Sequence, residues 1–140
     1  MIYKFFDTCS LLEKAGHIFD DKSYKTVISS ITLQELEDIK TSARKDAETK
    51  FAARQVLREL NENIEDYEVH IYHEGMAEPI SKNDFVIAND TKILACAYDY
   101  DYYYHPDETV FVTNDLALKA IANCYFGDDS IESVGEETLD

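Results

Sequence analysis

Four acidic residues stand where an apolar segment of the sequence ends or where a predicted helix begins. They are Asp7, Glu35, Asp90 and Asp115. Carboxylates that converge without compensating bases repel one another, and such a group either takes up protons or binds a hard cation. Oxygen ligands without a His or Cys set suit Mg²⁺ or Mn²⁺ rather than Zn²⁺. Because a cation held this way activates a water and offsets charge on a phosphoryl group, the four acids together predict a site for phosphodiester hydrolysis.

Each of the four acids has a simpler explanation when it is taken alone. Asp7, Asp90 and Asp115 stand at positions typical of helix N-caps, and Glu35 resembles the other acids of its predicted helix. Only their joint placement favours a site over these structural roles. The histidines show no zinc-binding spacing; they are His17, His70, His73 and His105.

Strands and helices alternate along the chain, which predicts a parallel sheet with helices on both faces. The predicted strands cover residues 2–6, 26–29, 67–73 and 109–113. The predicted helices cover residues 9–14, 33–39, 43–62, 90–100 and 116–126. Ligands of such sheets bind at the carboxyl ends of the strands. Short connections at that edge would bring the four acids together.

The composition is that of one acidic, folded domain. The chain has 140 residues and a formal net charge of −16, and hydrophobic residues make up 45% of it, which is enough to form a core. No apolar run approaches the about 20 residues of a membrane span, and no secretory leader is visible, so no membrane association is expected. Cys9, Cys96 and Cys124 form no CxxC pair, and we therefore expect a reducing, cytoplasmic location.

The acidic balance argues against a nucleic-acid ligand unless the charge is unevenly placed. Residues 128–140 carry six acids and no Lys or Arg, which predicts a solvated tail, a linker or one short edge strand. Bases cluster instead in residues 40–58, where a continuous helix would place five of them on one face. This basic stripe consists of Lys40, Arg44, Lys50, Arg54 and Arg58. It is either a solvated helix face or a surface for phosphates.

Four short motifs resemble those of the PIN domain family. They lie at residues 6–12 (FDTCSLL), 30–37 (SITLQELE), 89–95 (NDTKILA) and 112–116 (VTNDL). Each motif is weak by itself, but four in the right order on the predicted elements are specific. The resemblance covers about residues 1–135, which is almost the whole chain.

The resemblance implies an α/β fold, a three-layer α/β/α sandwich around a parallel sheet of about five strands. Residues 1–127 would form the PIN-like nuclease domain, and residues 128–140 would be an acidic edge strand, a tail or the start of a linker. PIN domains are metal-dependent nucleases that mostly act on single-stranded RNA. The resemblance therefore implies an endoribonuclease in which the four acids bind Mg²⁺ or Mn²⁺ and a metal-activated water attacks the phosphodiester.

The resemblance also implies supporting roles for residues next to the acids. Thr8, Thr113 and Asn114 would support the site, with the Thr113 hydroxyl near the attacking water. Lys92 and Lys119 join the basic stripe as expected RNA-binding residues. Cys9 departs from the family pattern, since many members have Asn at this place.

Within the family, residues 34–40 and 89–94 look most like the PIN domain that precedes a PhoH-type ATPase. A free-standing toxin nuclease of the VapC type is the rival. Single-stranded RNA is the expected substrate, and a homodimer, a C-terminal ATPase module and an antitoxin-like protein are the partners left open.

Two other functions compete with the nuclease hypothesis. One is an inactive PIN scaffold that binds a partner protein, favoured by the acidic surface and by the tyrosine-rich run at 98–104, since tyrosines are frequent at interfaces. The other is a phosphatase or response-regulator-like domain. It fits worse, because Cys9 stands where the first needs Asp and Asn114-Asp115 stands where the second needs Lys.

Overall fold

A computed structural model describes residues 1–104 and 108–135 and shows one parallel sheet. Its five strands are β1 (Ile2–Phe6), β2 (Tyr24–Ser29), β3 (Tyr67–His70), β4 (Glu108–Val112) and β5 (Ile131–Glu132). The strand order is β3-β2-β1-β4-β5, and all four neighbouring pairs are parallel. The chain therefore begins at the centre of the sheet, with β2 and β4 on either side of β1. The predicted parallel α/β sheet of about five strands is confirmed.

Six α-helices connect the strands within the described residues. They are α1 (Thr8–Glu13), α2 (Ser30–Thr41), α3 (Ala47–Glu62), α4 (Glu78–Ser81), α5 (Asn89–Tyr104) and α6 (Leu116–Ala122). Short 3₁₀ turns lie at Ile64–Asp66, Glu74–Ala77 and Asp128–Ser130. In this part of the chain, no helix combines the length and the hydrophobicity that a membrane span requires.

The core has two halves, one on each face of the sheet. Successive side chains of a strand point to opposite faces. Phe5 accordingly packs with residues of α5 and α6, whereas Phe6 packs with residues of α1, α2 and α3. In β2, Val27 packs in the same half of the core as Phe5, and Ile28 packs in the same half as Phe6. The helices thus cover both faces, and the three-layer α/β/α sandwich is confirmed.

Polar residues at the strand ends start the helices. Asp7 follows β1 and caps α1, since its side chain accepts a hydrogen bond from the backbone N–H of Ser10. Ser29 ends β2 and caps α2, and Asp115 follows β4 and caps α6. Each cap satisfies a backbone N–H that has no partner inside its helix. Three helices therefore begin at the same edge of the sheet.

The basic stripe is not continuous, which corrects the prediction of a single helical face. α2 ends at Thr41, and α3 begins only at Ala47, four residues later than predicted, because Asp46 caps it. Lys40 therefore belongs to α2 and Arg44 to the connection. The remaining bases of the stripe recur every four residues along α3 and share one of its faces; they are Lys50, Arg54 and Arg58.

Other element boundaries also differ from the prediction. β3 ends at His70, so residues 71–73 of the predicted strand lie outside it, and a 3₁₀ turn and α4 follow them. α5 continues to Tyr104, beyond the predicted end at residue 100.

Candidate active site

All four predicted acids line one cleft of about 350 Å³, the carboxylate cleft. It lies at the edge of the sheet where α1 and α6 begin. Asp7 is buried at its base, with 5% of its surface exposed, and Glu35 is half-buried. Asp90 and Asp115 are exposed at the rim. The four residues come from four separate segments of the chain, so the fold alone brings them together.

Asp7 is held at both of its carboxylate oxygens. Oδ1 accepts a hydrogen bond of 2.8 Å from the Ser10 backbone N–H. Oδ2 accepts one of 2.6 Å from the hydroxyl of Thr113, which is completely buried. The Thr113 oxygen in turn accepts a hydrogen bond of 3.1 Å from the backbone N–H of Asp115. Thr113 therefore connects the acids that follow β1 and β4.

Glu35 is held by the residue that follows Asp7. The Thr8 hydroxyl lies 2.6 Å from Glu35 Oε1 and 3.1 Å from Thr32 Oγ1. A carboxylate only accepts hydrogen bonds, so Thr8 is the donor in the first contact. Thr8 and Thr32 are both buried. This contact joins the start of α1 to α2 and aims Glu35 into the carboxylate cleft.

Asp90 and Asp115 both lie in or before the first turn of a helix. Asp90 Oδ1 accepts a hydrogen bond of 2.7 Å from the backbone N–H of Thr91. Asp115 Oδ1 accepts one of 3.0 Å from Leu118. The N-terminal end of a helix carries partial positive charge, which favours a negative side chain there. These two helix ends offset part of the repulsion that four neighbouring carboxylates would otherwise experience.

The pKa of the Cys9 thiol is affected by the negative charge of the carboxylate cleft. Partial desolvation raises the pKa of its thiol, and the negative charges of Asp7, Glu35, Asp115 and Glu13 raise this pKa further. An anionic thiolate is unfavourable beside other anions. Cys9 also lines the cleft, with its side chain open to solvent. Three of the four predicted acids therefore lie close enough to the Cys9 sulfur to raise its pKa.

The donor atoms of the carboxylate cleft suit a hard cation, because carboxylate oxygens are the ligands that Mg²⁺ and Mn²⁺ prefer. In the described residues, however, no three His, Cys, Asp or Glu side chains are already grouped as a metal site. Each oxygen of a carboxylate offers more than one lone pair, so the hydrogen bonds to Asp7 do not prevent it from acting as a ligand. The residues of the cleft thus fit a hard cation in their chemistry.

The side chain of Asn114 braces the backbone next to the carboxylate cleft by hydrogen bonds to Glu13 and Val134. Its Nδ2 donates a hydrogen bond of 2.6 Å to Glu13 Oε2 at the end of α1. Its Oδ1 accepts one of 2.6 Å from the Val134 backbone N–H. Two more bonds join this strand end to the C-terminal segment: Thr113 N–H donates to Glu132 O at 3.0 Å, and Ser133 Oγ donates to Thr113 O at 2.9 Å. These four contacts form a clasp around the 113–115 motif.

The bases predicted to bind RNA do not line the carboxylate cleft. Lys92 Nζ lies 5.6 Å from the Tyr72 ring centroid, and Lys119 Nζ lies 3.1 Å from Ser133 Oγ. On the stripe, Lys40 pairs with Glu37 at 2.9 Å. These basic side chains therefore lie outside the cleft.

Lys45 is the basic residue that lines the carboxylate cleft, and the sequence analysis did not select it. It lies in the connection between α2 and α3, next to the cap residue Asp46. Asp38, Thr49 and Asn89 line the same cleft and were also missed. The signal that could have found Lys45 is its position between the helix that carries Glu35 and the long helix that follows.

Comparison with known proteins agrees with this fold. A family model described as PIN domain matches residues 5–125, which confirms the resemblance drawn from the four motifs. A chain in the crystal structure of VapBC2 from Rickettsia felis, bound to a DNA fragment from their promoter, superposes with a TM-score of 0.56 at 18% identity. The alignment covers 95% of this chain and 98% of that chain. No curated protein matches. None of these matches distinguishes the PhoH-type from the VapC-type members.

Proposed function

Because the chain belongs to the PIN domain family, whose members are generally nucleases, we propose that it is a metal-dependent endoribonuclease acting on single-stranded RNA. One observation carries the proposal: four carboxylates from separate segments line the same cleft. A structural cap or a surface acid has no reason to meet three others in this way. The family match independently favours a nuclease.

Asp7, Glu35, Asp90 and Asp115 would hold Mg²⁺ or Mn²⁺ in the carboxylate cleft. A divalent cation at this place supplies Lewis-acid stabilisation of the phosphodiester and activation of the attacking water. The residues around the acids position them: Thr113 orients Asp7, and the Thr8 hydroxyl orients Glu35.

Lys45 has a separate role in the proposal. It is the single base among the side chains that line the carboxylate cleft. Its ammonium group would attract the anionic backbone into a site that is otherwise acidic, and it would offset charge on the phosphate during cleavage. This role depends only on charge and position.

Substrate binding would extend from the carboxylate cleft to the surrounding bases. The candidates are Lys40, Arg44, Lys50, Arg54, Arg58, Lys92 and Lys119. The net charge of −16 opposes a polyanion. We therefore expect RNA binding to be weak, to depend on the metal ion and to fall steeply with added salt.

The proposal is tested with labelled single-stranded RNA in the presence of Mn²⁺ or Mg²⁺. Asp7→Asn and Asp115→Asn should each lower the cleavage rate more than about 100-fold, since even the outer partners of metal ligands account for up to that factor. Glu62→Gln is the matched control, because Glu62 is an exposed acid at the end of α3, outside the carboxylate cleft. Cleavage that persists equally in both Asn variants would contradict the mechanism.

An inactive scaffold is the second candidate function. It is favoured by the acidic charge of the chain and by the exposed tyrosines of α5. The VapBC2 relative suggests an antitoxin-like protein as the partner. Calorimetry with Mn²⁺ separates the two candidates, because a four-carboxylate site should bind the ion measurably and a pure scaffold should not.

A further inference from the structure

A second cleft, of about 340 Å³, lies between the C-terminal half of α5 and the segment 75–82. We call it the tyrosine cleft, after Tyr98, Tyr102 and Tyr103 in its wall. Met76 and Pro79 form the opposite side. It shares no lining residue with the carboxylate cleft. The tyrosine cleft is therefore a separate concave site, and the proposed RNA chemistry does not use it.

The tyrosine rings in the wall of this cleft contact one another in series, from Tyr98 to Tyr102 to Tyr103. Tyr98 is anchored on the core, with its ring centroid 5.3 Å from Tyr125 and 6.5 Å from Phe126. The Tyr102 ring lies 6.3 Å from Tyr98 and 4.9 Å from Tyr103, to which it stands at 74°. Tyr102 is 57% exposed and Tyr103 is 71% exposed. Adjoining aromatic side chains this exposed are typical of surfaces that bind another molecule.

The charge on the wall of the tyrosine cleft is acidic. Glu78 and Asp99 line it, and Lys82 is the single base among the lining residues. Asp99 is fixed in place by a contact of 2.8 Å between its Oδ2 and His70 Nε2. Glu78 is exposed, and in the described residues no hydrogen bond or ion pair engages its carboxylate. Aromatic faces beside carboxylates favour an organic cation that can stack on a ring and donate hydrogen bonds.

We propose that the tyrosine cleft binds an arginine side chain carried by a basic segment of a partner protein. A guanidinium group stacks on aromatic rings and donates paired hydrogen bonds to a carboxylate, so it uses both kinds of group in the wall. The net charge of −16 would steer a cationic segment toward this surface. The same charge disfavours the other occupants: RNA is a polyanion, and a second copy of the chain carries an equal negative charge.

Two synthetic peptides with blocked ends test the proposal on the full chain. One alternates Leu and Arg, and its twin has neutral citrulline in place of each Arg. In a titration followed by NMR, the Arg peptide should shift the backbone amide signals of residues 75–82 and 98–103. The citrulline peptide should leave them unchanged, because it has the same shape without the charge.

Variants then distinguish binding of the Arg peptide in the cleft from general electrostatic attraction to an acidic protein. Glu78→Gln and Tyr102→Leu should each weaken Arg-peptide binding about two- to fivefold, the effect of one exposed ion pair or one cation–π contact. Glu62→Gln removes the same charge from the opposite helix layer and should not change the affinity. Both replaced side chains of the cleft are exposed, so the variants should fold.

Several results would overturn the proposal. Equal binding of the citrulline peptide would show that charge recognition is absent. An equal loss with Glu62→Gln would reduce the binding to general electrostatics. Signal shifts confined to the residues around Asp7 and Asp115 would place the peptide in the carboxylate cleft, and shifts of residues 98–103 caused by a single-stranded oligonucleotide would identify a nucleic-acid surface instead. None of these outcomes depends on whether the chain cleaves RNA.

Discussion

The Thr113 hydroxyl donates a hydrogen bond of 2.6 Å to the Asp7 carboxylate, although 106 residues separate the two in the chain. The contact is possible because β1 and β4 are neighbours in the sheet, with Phe6 paired to Val112 at their ends. The same hydroxyl oxygen accepts the backbone N–H of Asp115. One buried side chain thus sets the relative positions of two candidate metal ligands.

Replacing Thr113 with Val should damage both the fold and the carboxylate cleft. The change removes a buried hydrogen bond to a charged group and leaves Asp7 with less support, so the free energy of unfolding should fall by about 1–3 kcal/mol. RNA cleavage should fall with it. Urea unfolding and a cleavage assay measure the two effects.

Thr109→Val provides the matched control for this change. Thr109 is a buried threonine of β4, the strand that ends just before Thr113, and its Oγ1 has no hydrogen-bond partner in the described residues. Its replacement by Val should be neutral or slightly stabilising, since it removes an unsatisfied hydroxyl. If the Thr109 and Thr113 variants lose equal stability, the hydrogen bond to Asp7 is not what matters.

Asp115 should tolerate Asn in folding but not in catalysis. Its side chain caps α6 by accepting the Leu118 N–H, and Asn caps a helix about as well as Asp does. Asp115→Asn should therefore keep the stability of the wild type and lose cleavage, whereas Asp115→Ala should lose cleavage and about 1 kcal/mol of stability. A thermal or urea unfolding curve for each variant, beside the RNA assay, checks this separation. An active Asn variant would exclude Asp115 as a required ligand.

Lys45→Gln should weaken RNA binding more than Arg58→Gln does. Lys45 lines the carboxylate cleft, while Arg58 lies on α3 and donates to Gln55 at 2.8 Å. A lost phosphate contact should lower the slope of log affinity against log salt by about 0.7 for a single strand. Fluorescence anisotropy over a salt series, with uncleaved RNA on the Asp115→Asn background, measures it. Equal slopes for the two variants would remove the special role of Lys45.

The three cysteines should differ in their alkylation rates. Burial raises the pKa of Cys96 to about 12, and desolvation with the nearby carboxylates raises the pKa of Cys9. A raised pKa lowers the thiolate fraction at every pH below it, and the thiolate is the reactive form. Exposed Cys124 should therefore react first with iodoacetamide at about pH 8, Cys9 more slowly and Cys96 last. Peptide mapping by mass spectrometry gives the rates.

The charge contribution at Cys9 can be tested separately. Asp115→Asn removes one of the anions that disfavour the Cys9 thiolate, so alkylation of Cys9 should become faster in this variant while Cys124 stays unchanged. If the Cys9 rate does not respond, the carboxylates do not act on this sulfur as the structure indicates.

The order of the strands and helices was predictable, because apolar runs such as 2–6 and 109–113 end at polar residues that cap helices. Element lengths were less predictable, since tertiary contacts decide them. α5 extends to Tyr104, which stacks on Tyr100 at 5.4 Å, and Tyr100 bonds Glu68 of β3. β3 ends at His70, whose ring contacts Asp99 of α5. The contacts of Tyr100 with Glu68 and of His70 with Asp99 join residues about 30 positions apart, so no local sequence pattern predicts them.

The positions of Asp7 and Asp115 were predictable for the same reason as the fold, because they follow β1 and β4 at one edge of the sheet, and Glu35 lies in the helix after β2. Asp90 follows an irregular segment, so its place in the cleft depends on how α5 packs. The side chains that orient them were only partly predictable. Thr8 and Thr113 could be selected from their motifs, but their bonds to Glu35 and Asp7 depend on strand pairing. Lys45 depends on where α3 begins, and the tyrosine cleft depends on how residues 75–82 fold against α5.

The clasp around the 113–115 motif has a consequence for shortened versions of the chain. The backbone N–H of Thr113 donates to Glu132 O, and its carbonyl accepts from the Ser133 hydroxyl. The Val134 N–H donates to the side chain of Asn114. A protein that ends at residue 127 would leave these polar groups without their hydrogen-bond partners. The 113–115 turn should then become less ordered, although every acid of the carboxylate cleft is still present. Residues 132–134, which belong to a segment whose acidic composition is typical of a solvated tail, therefore help to hold the 113–115 turn beside the carboxylate cleft.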